Sequence, residues 1–422
     1  MKVRVLDADV SFLTQPFDVP LHISTGVISV ITEARATVRV SVDGRRSEGR
    51  GSIYLSDLWA WPDPTRSHEE RDAAMRRFCE QIARDLDDLC GGEAAHPLEL
   101  GLRLDGAVHT ASLEPDQPAL ARSNCACAFD AAIHDAAGLA LGVSAFDLYS
   151  EPAPAPSADA LFPACGAIQA VGKLMRNPNP CSDAWLVVNQ DEGFEEAVRP
   201  WVHQRGYRCF KLKLLARDNQ ADAAHTAAVF RAVSEMGARA PRLMADTNCA
   251  NPDAASVLDY LERLQALDPM AFRALEYLEQ PTPRDIAASP NDWRPVTRVK
   301  PVFLDEGLTD LSLMEIAMDQ GWSGFALKTC KGHSFSLVAA AWARRRHMGL
   351  TLQDLTNPGL SAIHGLLFAG HVATLNGVEL NSPQFTPAAN REWLPRLGGL
   401  FSPTDGRHRL PGPIPPGLGS ML

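Results

Sequence analysis

Residues 183–385 repeat one pattern, in which a short apolar run is followed by a polar turn and a helix-like stretch. Such runs are typical of buried parallel strands. The starts of successive runs lie roughly 22 to 33 residues apart, the length of one strand plus a crossover helix. This spacing predicts a (β/α)8 barrel of the TIM type, with an open doubly wound sheet as the alternative. The eight predicted strands are Trp185–Asn189, Cys209–Leu214, Arg242–Asp246, Leu275–Glu279, Val302–Glu306, Gly324–Lys328, Leu350–Asp354 and Val378–Asn381.

The chain before the barrel has a different organisation. The first 65 residues or so alternate in polarity and contain the hairpin signal Asp43-Gly44, which predicts an antiparallel meander. A helical pattern follows up to Gly142. We therefore assign residues 1–150 to an α+β domain and residues 183–385 to the barrel. Residues 151–182 are rich in proline and are predicted to be a connection or an active-site lid.

Composition restricts the partners and the compartment. The chain has 40 Lys and Arg against 51 Asp and Glu, a net charge of −11, so we expect no nucleic-acid binding as its main task. No stretch approaches the ~20 apolar residues that a membrane span needs, and we expect no membrane partner. The nine cysteines are an odd number and are scattered along the chain. This favours free thiols and a cytoplasmic location.

Carboxylates end three successive predicted strands: Asp246, Glu279 and the pair Asp305-Glu306. The carboxyl ends of parallel barrel strands meet at one face, where barrel enzymes place their catalytic groups. Three uncompensated carboxylates there would repel one another, and a hard cation such as Mg²⁺ would relieve that repulsion. The strand ends therefore predict a divalent-cation site.

Lysines lie at the ends of the predicted strands on either side of the three strands that end in carboxylates. Lys211 and Lys213 share one side of the second strand because side chains alternate along a strand. Lys328 ends the sixth strand, four positions around an eight-stranded barrel, and is expected to approach a ligand from the opposite side. A nearby cation would lower the pKa of such a lysine towards that of a general base. The two lysines could then take a proton from one face and return it on the other.

Together these residues resemble the enolase superfamily, and within it the muconate-lactonizing (cycloisomerase) type of the mandelate racemase/muconate lactonizing enzyme family. The resemblance covers nearly the whole chain, from Pro16-Phe17 and Gly49-Arg-Gly51 in the meander through 128–138 to Asn381-Ser-Pro383. It rests most on Lys-x-Lys, Asp-x-Asn, Glu-Gln-Pro, Asp-Glu and the sixth-strand lysine in that order. It implies an N-terminal α+β capping domain, a modified (β/α)7β barrel and a C-terminal segment, 386–422, that returns to the cap.

The resemblance also implies residue roles. Mg²⁺ would be held by Asp246, Glu279 and Asp305, and Lys213 and Lys328 would be the acid/base pair. Lys211 would contact the substrate carboxylate or tune Lys213. The implied reaction removes a proton α to a carboxylate, and the metal stabilises the resulting enediolate. Racemisation, epimerisation or cycloisomerisation would follow, or alternatively β-elimination from an acid sugar. The sixth-strand lysine argues against the mandelate racemase subgroup.

Several assignments remain open on the sequence alone. Further substrate contacts are predicted at strand ends and in a cap loop, namely Asn248, Glu306, Asp354, Gln384, Tyr54 and Trp59. The loops His22–Gly26 and Tyr54–Trp61 are candidates for covering the barrel mouth, although packing of cap against barrel would explain their apolar residues equally well. Thr329-Cys-Lys331-Gly-His333 departs from the apolar, glycine-ended run that the family leads us to expect.

Two other classes of function compete with this one. A Schiff-base aldolase would use Lys213 or Lys328 as the nucleophile, and a catalytically retired binding protein would keep only the pocket. In every case the partner is expected to be a small-molecule carboxylate or carbonyl compound. The family resemblance further implies a homo-oligomer.

Overall fold

A computed structural model describes residues 1–23, 25–110, 116–189 and 194–422. The chain begins with an antiparallel sheet in the order β1 (Val3–Ile23), β2 (Gly26–Val42) and β3 (Arg45–Leu55). Asp43 and Gly44 make the tight turn between β2 and β3, both with positive φ. The predicted meander is therefore present. Ser24, within the candidate loop His22–Gly26, lies outside the described residues.

Four helices follow the meander: α1 (Asp57–Ala60), α2 (His68–Leu89), α3 (Pro97–Thr110) and α4 (Ala119–Leu141). Helix α4 is buried on nearly all sides, which explains its many alanines. It packs directly on the backbone of β3: a Cβ at Gly51 would lie 2.1 Å from the carbonyl oxygen of Ala128. Glycine is required here by this close approach.

The proline-rich segment contains regular structure. After a 3-10 turn at Ala145–Tyr149 come α5 (Pro156–Asp159), α6 (Ala167–Leu174) and β4 (Cys181–Asp183). Helix α6 packs against a barrel helix, and Arg176 donates to the carbonyls of Gly370 and Ala369. These contacts lie among outer helices, and the role of the segment as a connection or a lid stays a prediction.

The barrel sheet contains seven parallel strands, adjacent in chain order. They are β5 (Trp185–Val188), β6 (Cys209–Lys213), β7 (Arg242–Asp246), β8 (Leu275–Glu279), β9 (Val302–Leu304), β10 (Gly324–Lys328) and β11 (Gly349–Gln353). The crossovers contain α7 (Phe194–Arg205), α8 (Asn219–Glu235), α9 (Ala254–Leu267), α10 (Pro269–Ala274), α11 (Arg294–Thr297), α12 (Leu313–Gln320), α13 (His333–Arg345) and α14 (Gly359–His371). A layer of Trp185, Cys209, Met244, Tyr277, Phe303 and Ala326 fills the interior of the sheet. This is the side-chain packing of a TIM-type barrel.

The predicted eighth strand, Val378–Asn381, does not form a regular strand among the described residues. It makes one bridge to β11, between Glu379 and Gln353. The contact with β5 on the other side is made by amide side chains: Asn381 donates to the Trp185 carbonyl at 3.1 Å, and Gln384 bonds both the N–H and the C=O of Val187. Side chains thus replace a backbone ladder where the barrel closes.

The C-terminal residues run back to the N-terminal region. They include α15 (Ser382–Phe385), a 3-10 turn at Pro387–Asn390, α16 (Leu394–Phe401) and β12 (Arg407–Arg409), which pairs with β4. The N–H of Leu418 and the hydroxyl of Ser420 both donate to Asp135 on α4. The domain boundaries themselves stay predictions. In the described part of the chain no helix combines the length and apolarity of a membrane span.

Candidate active site

The three predicted metal ligands lie on neighbouring strand ends and are fully buried. Asp246 and Glu279 are register partners across β7 and β8, and Asp305 follows β9 directly. Each of the three is at most 1% exposed. The side-chain oxygen of Gln280 accepts the main-chain N–H groups of Asp305 and Gly307, at 2.9 and 3.0 Å, and so fixes the turn that carries Asp305.

Two lysine ammonium groups bridge these carboxylates. Lys211 Nζ lies 3.2 Å from both Asp246 Oδ2 and Glu279 Oε1. Lys328 Nζ lies 3.0 Å from Asp305 Oδ2 and 3.9 Å from Glu279 Oε1. The structure therefore brings the predicted lysines and carboxylates into one cluster. Within it the ammonium groups are paired directly with the carboxylates.

Lys213 contacts the same cluster from the other end. Its Nζ lies 2.6 Å from Asp246 Oδ2 and donates to Asn248 Oδ1 at 2.9 Å. The Asn248 amide in turn donates to Asp246 at 3.2 Å and to Glu306 at 3.3 Å. Asn248 thus orients both the lysine and two acids.

The ion pairs set the ionisation of the cluster. Burial disfavours the charged ammonium of Lys328, but Asp305 and Glu279 outweigh burial and raise its pKa. Burial also disfavours the ammonium of Lys211, but the negative charges of Glu279 and Glu379 outweigh burial and raise the pKa of Lys211. With the carboxylates paired directly to lysines, the pKa of Lys211 and that of Lys328 are both raised. The lowering expected beside a bound cation stays a prediction.

Burial dominates the ionisation of Glu279. Burial, aided by the negative charges of Asp246 and Asp305, raises the pKa of Glu279 in spite of Lys211 and Lys328. Within the described residues no three His, Cys, Asp or Glu side chains are grouped as ligands of one ion. The three buried carboxylates nevertheless fit Mg²⁺ in charge and in ligand type. For the oxygens of these three carboxylates to meet on one ion, the lysine side chains would have to turn away from the carboxylates.

Four residues of the cluster escaped the sequence analysis. Glu379, on the closing segment, accepts from Lys211 at 3.0 Å, and Gln353 donates to Glu279 at 2.6 Å. Lys331 donates to the Asp305 carbonyl at 2.5 Å and lies 3.0 Å from its Oδ1. Together with Gln280 these residues surround the three acids. The carboxylate on the predicted closing strand was the available signal for Glu379. Lys331 lies in the segment that was noted only as a departure from the apolar, glycine-ended run of the family.

The N-terminal domain reaches the cluster through Trp59. Its indole N–H donates to Glu306 Oε1 at 3.0 Å, and Lys328 Nζ lies 4.8 Å from the centre of its ring. Arg284 donates to the Trp59 carbonyl at 2.7 Å. Trp59 therefore contacts an acid and a lysine of the cluster; that the loop Tyr54–Trp61 covers the barrel mouth stays a prediction.

Of the other predicted contacts, Asp354 lines the pocket at the barrel mouth, whereas Tyr54 and Gln384 have structural roles. The pocket is also lined by Trp59, Lys213 and Lys328, and Asp354 is buried in it. Burial together with Glu379 raises the pKa of Asp354 to about 8. Tyr54 is fully buried in an apolar cluster with Phe17 and Phe385, so packing explains it. Gln384 is engaged with the Val187 backbone and therefore serves barrel closure.

Comparison with known proteins agrees with this geometry. A family model described as enolase C-terminal domain-like matches residues 193–422. A search of curated proteins finds no match. The fold is similar to that of N-succinyl Arg/Lys racemase from Bacillus cereus, with a TM-score of 0.67, 18% identity, and coverage of 99% of this chain and 95% of that one.

Two further solved structures share the fold. Dipeptide epimerase from Enterococcus faecalis, complexed with Mg and the dipeptide L-Leu-L-Tyr, has a TM-score of 0.68, 15% identity and 99% coverage of both chains. Muconate lactonizing enzyme from Pseudomonas fluorescens, complexed with muconolactone, has a TM-score of 0.65, 19% identity, and coverage of 99% of this chain and 96% of that one. With the family model covering more than half of its length, the chain belongs to the mandelate racemase/muconate lactonizing enzyme family of the enolase superfamily.

Proposed function

We propose that the protein is a Mg²⁺-dependent isomerase that removes and returns a proton α to the carboxylate of a small acid. The observation that carries the proposal is the position of Lys213 and Lys328. They end β6 and β10, on either side of the three strands that end in carboxylates. A substrate carboxylate held over those acids would have one lysine near each face of its α-carbon.

The proposed ion would be held by Asp246, Glu279 and Asp305. When bound, it would neutralise the negative charge that builds up on the substrate carboxylate as the α-proton leaves. With Asp246, Glu279 and Asp305 as ligands of an ion, Lys328 would no longer be paired directly with Asp305 and Glu279. Burial, which opposes the ammonium form of this lysine, would then favour the neutral amine that a base requires.

The remaining residues position these groups. Asn248 aligns Lys213 with Asp246, and Gln280 fixes Asp305. Trp59 covers the site and excludes water from the proton-transfer region. Lys211, which is 3% exposed and surrounded by acids, is proposed to hold Glu279 and Asp246 in register.

Exchange of the α-proton in D₂O tests the proposal. Protein stripped with EDTA is incubated with a set of N-acylated amino acids, dipeptides and acid sugars, with and without Mg²⁺, and deuterium uptake is followed by mass. We expect uptake that requires Mg²⁺. No uptake with any carboxylate, or a lysine adduct trapped by borohydride with a carbonyl compound, would refute it, since the adduct is the mark of the aldolase alternative.

A further inference from the structure

A second cleft, here called the outer cleft, lies on the outer face of the N-terminal sheet. Its volume is about 460 Å³, which is within the range of small-molecule sites. The floor contains Ser11, Arg35 and Ser52, which are register partners across β1, β2 and β3. The walls come from 358–360, at the start of α14, and from residues between 389 and 396, at the start of α16. The cleft is therefore formed where the C-terminal segment meets the sheet.

The outer cleft shares three chain segments with the pocket at the barrel mouth. On β2, Ile31 lines the pocket and Arg35 lines the cleft. On β3 and directly after it, Ser56 lines the pocket and Ser52 lines the cleft. After β11, residues 354–356 line the pocket, whereas 358–360 line the cleft. A change in one cavity can therefore reach the other through a few residues.

Residues 354–360, here called the shared loop, are held on both sides. The side-chain oxygen of Asn357 accepts the N–H of Tyr54 at 2.8 Å. Gly359 has a φ of 53°, and Trp393 packs so closely on it that a Cβ there would lie 2.7 Å from the indole nitrogen. Because Trp393 also lines the outer cleft, a ligand that contacts its ring would act directly on the shared loop.

Two opposite charges in the outer cleft have no ion-pair partner among the described residues. The other two arginines of the cleft have acidic partners, Arg35 with Glu33 at 2.9 Å and Arg50 with Glu48 at 3.7 Å. The guanidinium of Arg396 forms no ion pair in the described chain and lies 5.9 Å from the centre of the Trp393 ring. The carboxylate of Glu392 likewise forms no ion pair there, although its charge helps to raise the pKa of Arg35. The cleft thus presents one cation, one anion and an aromatic ring.

We propose that the outer cleft is a second binding site, for a free amino acid in its zwitterionic form, and that the shared loop transmits its occupation to the pocket at the barrel mouth. The carboxylate of the ligand would pair with Arg396 and its ammonium group with Glu392. An apolar side chain would lie against Trp393. A ligand with only one of the two charges would leave Arg396 or Glu392 unpaired. The proposal uses none of the lysines and carboxylates of the barrel and does not depend on the proposed function.

Three probes separate the two charges of the ligand. L-phenylalanine carries the carboxylate, the ammonium group and an apolar ring; 3-phenylpropionate lacks the ammonium group; phenethylamine lacks the carboxylate. Titrations followed by the NMR signals of each probe measure the three affinities. Since an exposed ion pair contributes little, we expect the loss of either charge to weaken binding about three- to fivefold. Equal affinities of the three probes, or no binding of L-phenylalanine, would overturn the proposal.

Variants assign the binding to residues. Arg396→Gln is expected to abolish the preference for L-phenylalanine over phenethylamine, and Glu392→Gln the preference over 3-phenylpropionate. The matched control is Arg391→Gln, because Arg391 is an exposed arginine of the same segment that does not line the cleft; it should leave the affinities unchanged. Lys213→Ala detects binding at the barrel mouth instead. Binding lost in Lys213→Ala but kept in Arg396→Gln would place the ligand in the wrong cavity and refute the proposal. Melting temperatures verify that the variants fold.

Hydrogen exchange followed by mass tests the transmission. L-phenylalanine is expected to slow exchange in a peptide that spans the shared loop in the wild type, and to leave it unchanged in Arg396→Gln. Peptides from α8 provide the internal control, because no residue of this helix lines the outer cleft. Exchange of the shared loop that stays the same at saturating L-phenylalanine would contradict the transmission to the barrel mouth.

Discussion

The indole N–H of Trp59 donates to the carboxylate of Glu306 at 3.0 Å and so joins the N-terminal domain to the mouth of the barrel. The second oxygen of Glu306 is buried and, within the described residues, has no hydrogen-bond partner. Trp59 is therefore an important neutral donor to an acid whose pKa is raised by burial and by Asp305.

Replacing Trp59 by Phe keeps an aromatic ring over Lys328 but removes this donor. Losing a hydrogen bond to a buried charged group is expected to lower the free energy of unfolding by about 1–3 kcal/mol. Urea denaturation measures the loss. Trp61→Phe is the matched control, since the Trp61 ring contacts Arg66 rather than the barrel acids. Equal losses in the two variants would contradict the assigned contact.

In this structure the ammonium group of Lys331 balances the negative charge of Asp305. We expect bound Mg²⁺ to balance that charge in its place. Lys331→Met removes the ammonium group 3.0 Å from Oδ1 while keeping most of the side-chain volume. We expect a loss of about 1–3 kcal/mol in the metal-free protein, less than for a fully broken buried pair because Lys328 remains. Thermal unfolding with and without Mg²⁺ should show a larger rise in melting temperature for the variant than for the wild type. An equal rise in both would show that Lys331 does not share this role.

His96 predicts a dependence of stability on pH. In its neutral form Nε2–H donates to the Leu148 carbonyl and Nδ1 accepts the N–H of Leu98. Burial lowers its pKa to about 4, below the ~6.5 of an unfolded histidine. The unfolded chain therefore binds more protons between these values, and stability falls as the pH falls from about 6.5 to 4.

The size of this effect can be measured by urea denaturation at a series of pH values. The shift corresponds to a contribution on the order of 3 kcal/mol. His96→Gln should reduce the slope of stability against pH in this range. A slope that survives in His96→Gln would assign the dependence to other buried histidines.

Barrel closure depends on Gln384. Its amide makes two bonds to the Val187 backbone, at 3.0 and 2.9 Å, in place of a strand ladder. Gln384→Ala is expected to destabilise the fold by about 2–4 kcal/mol, since two partly buried backbone groups lose their partners. Gln384→Glu keeps the acceptor oxygen but loses the amide donor, so its stability should lie between that of Gln384→Ala and that of the wild type. Native-state hydrogen exchange at Val187 measures the effect locally, and unchanged protection would contradict it.

Much of the barrel could be predicted because strand ends carry their chemistry in sequence order. Asp246, Glu279 and Lys328 each end a strand at the residue that the apolar runs predicted. The eighth strand could not be predicted correctly because its closure uses the side chains of Asn381 and Gln384, which a strand pattern does not report.

The remaining site residues depend on tertiary contacts. Lys331 follows β10 in a 3-10 turn, and only the fold shows that this turn aims it at Asp305. Apolar side chains that line the pocket, among them Phe17, Ile28 and Ile31, come from β1 and β2, far from the barrel in sequence. The alternating polarity of the first 65 residues gave no sign that they line the pocket.

Exchange of the α-proton, resolved by enantiomer, tests the central claim most directly. The account places Lys213 and Lys328 at opposite faces of one α-carbon. With both enantiomers of N-acetylphenylalanine in D₂O and Mg²⁺, it predicts that Lys213→Ala exchanges only one enantiomer and Lys328→Ala only the other, each loss amounting to about 10²–10⁴-fold. Exchange of both enantiomers by both variants would contradict it.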